Sequence, residues 1–133
     1  MTRVNVIPPQ DLMDQHLMAE YREIRHVGPS LHRSLQSKNF NINTIPKNYT
    51  LNNGHVKFFY NKGLYLYRRF NELRCELLYR GYNINKDITF NIDYFLPNFF
   101  NDWIPTNKDM EINLNRINQR IKEKPNFYRK TNR

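Results

Sequence analysis

The chain opens Met1-Thr2-Arg3, and 21 residues after Thr2 comes Glu23, flanked by Arg22 and Arg25. Thr2 is small, so cytosolic processing is expected to remove Met1 and leave a free α-amino group on Thr2. Such an amine differs from a lysine in one decisive way. With an unperturbed pKa of about 7.7–8.0 it is roughly a quarter neutral near neutral pH, whereas a lysine at about 10.4 is only about 0.1% neutral. Only the neutral form attacks carbon, so the terminal amine starts with an advantage on the order of 3 kcal/mol. Arg3 and Arg22 add like charge, which favours the neutral form further. Orientation contributes more, because well-placed groups gain roughly 7–11 kcal/mol. An amine beside a helix carboxylate and several arginines suits imine chemistry on an anionic substrate.

Those residues need elements to carry them. Pro8-Pro9 ends a short N-terminal arm, and proline is well tolerated at the first helical position. From about Pro9 to Val27, the residues Met13, Leu17, Tyr21 and Ile24 recur at helical spacing and form one apolar stripe. On that helix Gln15, Arg22 and His26 fall within about 20° of one another on the opposite face, with His16 and Glu23 on its flank. The helix therefore has a buried side and a side able to face a ligand. Gly28-Pro29 is expected to break or kink it before a second stretch through Leu35. Residues 36–57, rich in Asn and containing Pro46 and Asn52-Asn53-Gly54, read as loop.

A helix from about Lys62 to Arg80 follows, with Leu66, Phe70, Leu73, Leu77 and Leu78 inward and Gly81 as its stop. Its exposed face is expected to carry Arg68, Arg69, Arg74 and Arg80. Residues 83–106 hold scattered aromatics, Pro97 and Pro105, and read as loops packed by large side chains. Thr106 to Asp109 has the pattern of a capping start for a last helix, whose buried stripe is Met110, Leu114, Ile117 and Ile121. There is no repeat and no alternating strand pattern of useful length. The chain reads as all-α, in a single domain over 1–133.

Bulk properties narrow the partner. At 133 residues the chain can bury a real core, and its nineteen aromatic residues should supply much of it. A net charge of +9 points to a polyanion, nucleic acid before an anionic membrane. No apolar run approaches a membrane span and no signal-peptide pattern opens the chain. The single cysteine, Cys75, excludes an intramolecular disulfide and fits a reducing compartment. From these features the protein is expected inside the cell, in cytoplasm or nucleus, and not among secreted proteins.

The run Asp14-Gln15-His16-Leu17-Met18-Ala19-Glu20-Tyr21-Arg22-Glu23, at this distance from Met1-Thr2-Arg3, resembles the first helix of the pyrimidine-dimer DNA glycosylases of the bacteriophage endonuclease V type. Gly54-His55-Val56-Lys57-Phe58-Phe59-Tyr60-Asn61-Lys62 resembles the signature before that family's middle helix, and Arg80-Gly81-Tyr82-Asn83-Ile84 the end of it. Pro125-Asn126-Phe127-Tyr128-Arg129-Lys130 resembles its aromatic, basic C-terminal segment. The blocks keep the family's order and cover essentially the whole chain. Two positions depart from the pattern. Phe127 stands where the phage enzyme has Trp, and the arginine expected after the Glu falls at Arg25, with His26 in its usual place.

The resemblance implies a compact fold of about three main helices with long loops and the N-terminal arm inserted between helices. It implies a bifunctional DNA glycosylase and abasic-site lyase acting, as a monomer, on double-stranded DNA containing pyrimidine dimers. The Thr2 amine would be the nucleophile, Glu23 its partner for charge and protons, and Arg22 would hold the carboxylate and a phosphate. No cofactor, metal or organic, is implied. Arg3, Gln15, His16, Arg25, His26, Arg116, Arg120 and Lys130 are candidates for contact with the DNA. Which of Arg25 and His26 takes a phosphate stays open. Phe127 and Tyr128 have two roles open to them, stacking at the lesion or packing the tail onto the core.

Other chemistry finds little support. His16, His26, His32 and His55 lack the i, i+4 pairing that sets metal ligands on one helix face, and hydrogen-bonding roles suit them better. His55 beside Gly54 is either functional or a loop anchor. Cys75, mid-helix among apolar residues, reads as a small core side chain. Two further readings stand beside the enzyme. One is a lesion-binding or general DNA-binding protein without catalysis; the other is a structural or RNA-associated basic protein. Neither gives a reason for keeping both Thr2 and Glu23.

Overall fold

Pro8 and Pro9 turn the N-terminal arm into a single 3-10 turn, Pro9–Asp11, with proline in its first turn where an amide would find no partner. The structure is a computed structural model and describes residues 2–132; the expected removal of Met1 falls outside those residues. Among the described residues five α-helices follow the arm: α1 (Asp14–Glu23), α2 (Val27–Leu35), α3 (His55–Phe58), α4 (Gly63–Tyr79) and α5 (Asn107–Glu123). Among the described residues there is no strand, as the all-α reading required. The three main helices are α1, α4 and α5, and α2 adds a fourth of nine residues. None of the helices is long and apolar enough to cross a membrane.

The arm lies between these helices. Val4, Asn5, Val6 and Ile7 are 0–4% exposed, and their polar groups bond to side chains from α1, α3 and α5. Behind the arm α1 packs on α4. The centre is apolar and heavily aromatic, with Leu17, Ile24, Leu66, Phe70, Leu73 and Leu77 beside Phe58, Phe59 and Phe95. Full burial of each such side chain contributes about 1.5–3 kcal/mol. The loop expected at 36–57 ends at residue 54, where α3 begins, and the one expected at 83–106 is present; they carry two 3-10 turns, Ile42–Thr44 and Ile92–Phe95. Phe90 and Phe95 from the second loop stack on each other with centroids 5.7 Å apart. Gly81 ends α4 with φ of +94°, a conformation that favours glycine.

Several boundaries and faces differ from the sequence reading. The helix expected from Pro9 to Val27 is interrupted: Leu12 and Met13 are extended, and α1 starts only at Asp14. Tertiary bonds fix that start, since the Asp14 amide donates to the Arg129 carbonyl at 2.8 Å and its carboxylate accepts from Arg80 at 2.8 Å. The expected break at Gly28-Pro29 occurs earlier, in the 3-10 turn Ile24–His26. Pro29 sits in the first turn of α2, where its missing amide costs nothing. Gly28 is required by packing, because a Cβ there would lie 2.6 Å from Tyr94 Cδ2.

On α4 and at its C-cap, Arg69 and Arg80 are buried rather than exposed, each 4% accessible, while Leu78 is 42% exposed rather than inward. Two buried carboxylates, Glu20 and Asp14, draw those guanidinium groups inside. Cys75 is exposed and not part of the core. On α5 the capping box at Thr106 and Asp109 is present. Leu114, expected in the buried stripe, is 44% exposed, and Asn113 takes the inward place.

Candidate active site

Glu23 is the last residue of α1, and its Oε1 accepts a hydrogen bond from the Arg3 backbone amide at 3.1 Å. The Thr2 nitrogen is three covalent bonds from that amide nitrogen, so it lies within about 4 Å of it. The next amide, on Val4, donates to His55 Nε2 at 2.9 Å. His55 Nδ1 lies 2.7 Å from the Thr50 carbonyl, an acceptor only, so Nδ1 carries the proton and Nε2 the lone pair. Burial pushes the His55 pKa down to about 4, with Arg3 acting the same way and the Thr50 bond opposing. The imidazole is neutral at pH 7.

Deeper along the arm the holding groups come from the three main helices. Asn113 Oδ1 accepts from the amides of Val6 (2.8 Å) and Ile7 (3.3 Å), and its Nδ2 donates to Asn5 Oδ1 at 2.9 Å. Asn5 donates in turn to Glu20 Oε1 at 3.0 Å. Arg69 grips both oxygens of Glu20, at 2.8 and 3.0 Å, and donates to the Ile7 carbonyl. Burial of this guanidinium is outweighed by Glu20, which holds Arg69 charged. A buried pair of this kind is tolerable because each of its polar atoms has a partner.

Around Glu23 opens a cavity of about 300 Å³ lined by Arg3, Asn5, His16, Ala19, Glu20, Glu23, Arg116, Ile117, Arg120 and Tyr128. Arg69 neutralises Glu20, so Glu23 faces Arg3, Arg116 and Arg120 and the cavity is net positive. Burial, and then the Arg116 charge, push the Arg3 pKa down. Burial, with Arg120 adding to it, lowers the His16 pKa as well. The His16 ring stacks on Tyr128 with centroids 4.5 Å apart and 20° between the planes. Both rings also line a second cavity of about 450 Å³, shared with Asp14, Gln15, Met18, Ala19, Arg22, Tyr82, Phe127 and Arg129.

The sequence-predicted residues thus divide into groups. Arg3, His16, Glu23, Arg116, Arg120 and Tyr128 meet at the first cavity. Thr2 leads into it, with its hydroxyl 3.5 Å from His26 Nδ1. Arg22 lines the second cavity with Phe127 and not the one that holds Glu23. Gln15 is occupied by the tail: its Nε2 donates to the Phe127 carbonyl at 2.9 Å and its Oε1 accepts from the Arg129 amide at 3.1 Å. Arg25 has Nε buried with no hydrogen-bond partner, while His26 and Lys130 are exposed. Phe127 is 56% exposed although its neighbour Tyr128 is docked.

Sequence reasoning missed Asn5, Glu20, Arg69 and Asn113, the residues that thread the arm into place. Asn113 left one signal, a polar residue where helical spacing from Met110 and Ile117 wants an apolar one. Among the described residues no three His, Cys, Asp or Glu side chains group as metal ligands.

An all-helical basic domain that holds its N-terminal arm against a carboxylate, in an arginine-lined cavity, has the makings of an enzyme for nucleic acid. The family model of the pyrimidine dimer DNA glycosylases matches residues 1–90, and the chain belongs to that family. It is a DNA repair glycosylase whose substrate is DNA containing pyrimidine dimers.

Proposed function

We propose that this glycosylase works through the α-amine of Thr2, exposed once Met1 is removed, and that it is also an abasic-site lyase. The amine attacks C1′ of the 5′ nucleotide of the dimer, forming a C–N bond as the glycosidic bond breaks and its electron pair leaves with the base, which takes up a proton. The sugar ring opens to give a protonated imine between Thr2 and C1′. A proton is then lost from C2′, and the electrons expel the 3′ phosphate by β-elimination. Water hydrolyses the remaining imine and frees the amine.

Glu23 stabilises the cationic sugar and moves protons in these steps. Arg3, Arg116 and Arg120 hold phosphate around the cavity, and Arg22, Arg25, His26 and Lys130 extend that contact outward. Phe127 and Tyr128 offer ring surface beside the second cavity. A dimer pairs and stacks weakly, so opening the duplex there costs less than at normal bases. Residues 1–133 act as one domain and as a monomer.

The observation that carries this reading is the 3.1 Å bond from the Arg3 amide to Glu23. It sets Thr2, the residue proposed to bear the amine, beside a cavity-lining carboxylate that, unlike Glu20, is not clamped by Arg69. The test is covalent. Borohydride added during reaction with dimer-containing DNA is expected to reduce the imine to a stable adduct that maps to the Thr2 nitrogen. Retaining Met1, or inserting a residue after it, displaces the amine by up to about 3.5 Å and is expected to abolish cleavage. Full activity with a blocked N-terminus, or an adduct on a lysine, removes the assignment.

A further inference from the structure

Arg3 and Val4 present two successive backbone amides, and different elements take them: Glu23 at the end of α1 accepts the first and His55 at the start of α3 the second. Because each peptide is planar, pinning both amides fixes the two peptide planes that flank Arg3. The plane holding the Arg3 amide also contains Thr2 Cα. The Thr2 nitrogen is then left with a single rotation, about its own Cα–C bond. Glu23 alone would leave the Arg3 peptide free to pivot about its N–H···O axis, carrying Thr2 Cα with it.

We infer that His55 is a positioning residue for the reaction: as the hydrogen-bond acceptor of the Val4 amide, held by the Thr50 carbonyl, it fixes where the terminal amine sits. The inference rests on Thr2 being the nucleophile. Three features make His55 suited to the task. It is 3% exposed, and its ring is wedged edge-on between Tyr49 (5.7 Å) and Phe59 (5.5 Å), which hold its plane. Its bond to the Thr50 carbonyl selects the tautomer with the lone pair on Nε2, aimed at Val4. Val4 itself is fully buried, so its amide has no ready substitute for this acceptor. The Arg3 guanidinium is tied to the same loop, donating to the Leu51 carbonyl at 3.1 Å.

The two bonds of His55 can be separated by two amide side chains. Gln is long enough to put its oxygen near the Nε2 position and accept from Val4. Asn reaches only the Nδ1 position and can donate to Thr50. Wild type, His55→Gln and His55→Asn are compared by single-turnover borohydride trapping on a duplex with one abasic site, with peptide mapping of the adduct and parallel binding of a dimer duplex. The wild-type adduct is expected on Thr2. Trapping by His55→Gln is expected within about tenfold of wild type and by His55→Asn about 10²-fold slower, with binding by both inside about twofold, because a misplacement near 1 Å slows chemistry without weakening affinity.

Equal trapping by the two variants, or faster trapping by Asn than by Gln, overturns the positioning role and reduces His55 to a loop anchor. A wild-type adduct on a lysine is visible before any variant is compared; it removes the Thr2 reading and this inference with it. If His55→Asn does not fold, amide hydrogen exchange of Val4 in the wild type decides, with strong protection expected and rapid exchange overturning the inference.

Discussion

Glu20 and Glu23 lie three residues apart on α1 and share one cavity, yet their surroundings assign them opposite tasks. Glu20 has no exposed side-chain surface and both its oxygens are taken by Arg69, one of them also by Asn5. It is a strut. Glu23 is half-buried and accepts one backbone amide on Oε1; in the proposed mechanism its Oε2 serves the chemistry. The distinction predicts the behaviour of a single isosteric change. Glu23→Gln keeps an oxygen for the Arg3 amide, so the arm stays docked, but it lacks the negative charge and the proton acceptor. Dimer binding is therefore expected to survive while strand cleavage falls about 10²–10³-fold. Nicking and binding of one defined dimer duplex, measured in parallel, check this. Wild-type nicking by the variant would take Glu23 out of the chemistry.

At the level of elements the arm is structured by its neighbours and not by its own sequence. α5 supplies Asn113, which is 1% exposed and satisfies two arm amides and Asn5 at once. Asn113→Ala leaves all three groups buried without that partner, so a stability loss of about 3 kcal/mol is expected. In urea unfolding the midpoint should drop with an unchanged slope. A change under about 0.5 kcal/mol would mean that the arm is held elsewhere. This dependence on distant partners marks how far the sequence could be read. Helices α4 and α5, with their apolar spacing, the capping box and Gly81, were legible because those signals are local. The inward turn of Arg69 and Arg80 was not, because it depends on Glu20 and Asp14, 49 and 66 residues away. The cluster of Glu23, Arg116 and Arg120 was legible only as separate candidates. Its assembly depends on α5 crossing the arm, and no periodicity in either segment reports that crossing.

Over the whole molecule, a net charge of +9 draws the protein to DNA and strains its folded state, since like charges are confined in a small volume. Acid should expose that strain, and two buried groups define where. His55 has an ordinary pKa of 6.5 that falls to about 4 in the folded protein. Between those values the unfolded chain binds a proton that the native chain refuses, so stability is complete above 6.5 and declines as the pH drops toward 4. For a shift of this size the loss at pH 4 is about 3 kcal/mol. His16 is lowered too, by burial and Arg120, and acts with the same sign but more weakly because its ring is partly solvated. Below this window Asp14 takes over. Burial would raise its carboxyl, but hydrogen bonds from Thr131, Tyr82 and Arg80 outweigh burial and bring it from 3.8 down to about 2. Stability that Asp14 contributes is present above 3.8 and lost as the pH falls toward 2, loosening the tail bonded to its carboxylate. Thermal melts should therefore show a midpoint that falls steadily from pH 6.5 to 4 and again below 4. His55→Gln, which cannot take up a proton, should flatten the upper limb and leave the lower one intact. A wild-type midpoint that stays level between pH 7 and 4 would show that His55 is not held neutral, and would count equally against its lone pair being the fixed acceptor of the Val4 amide.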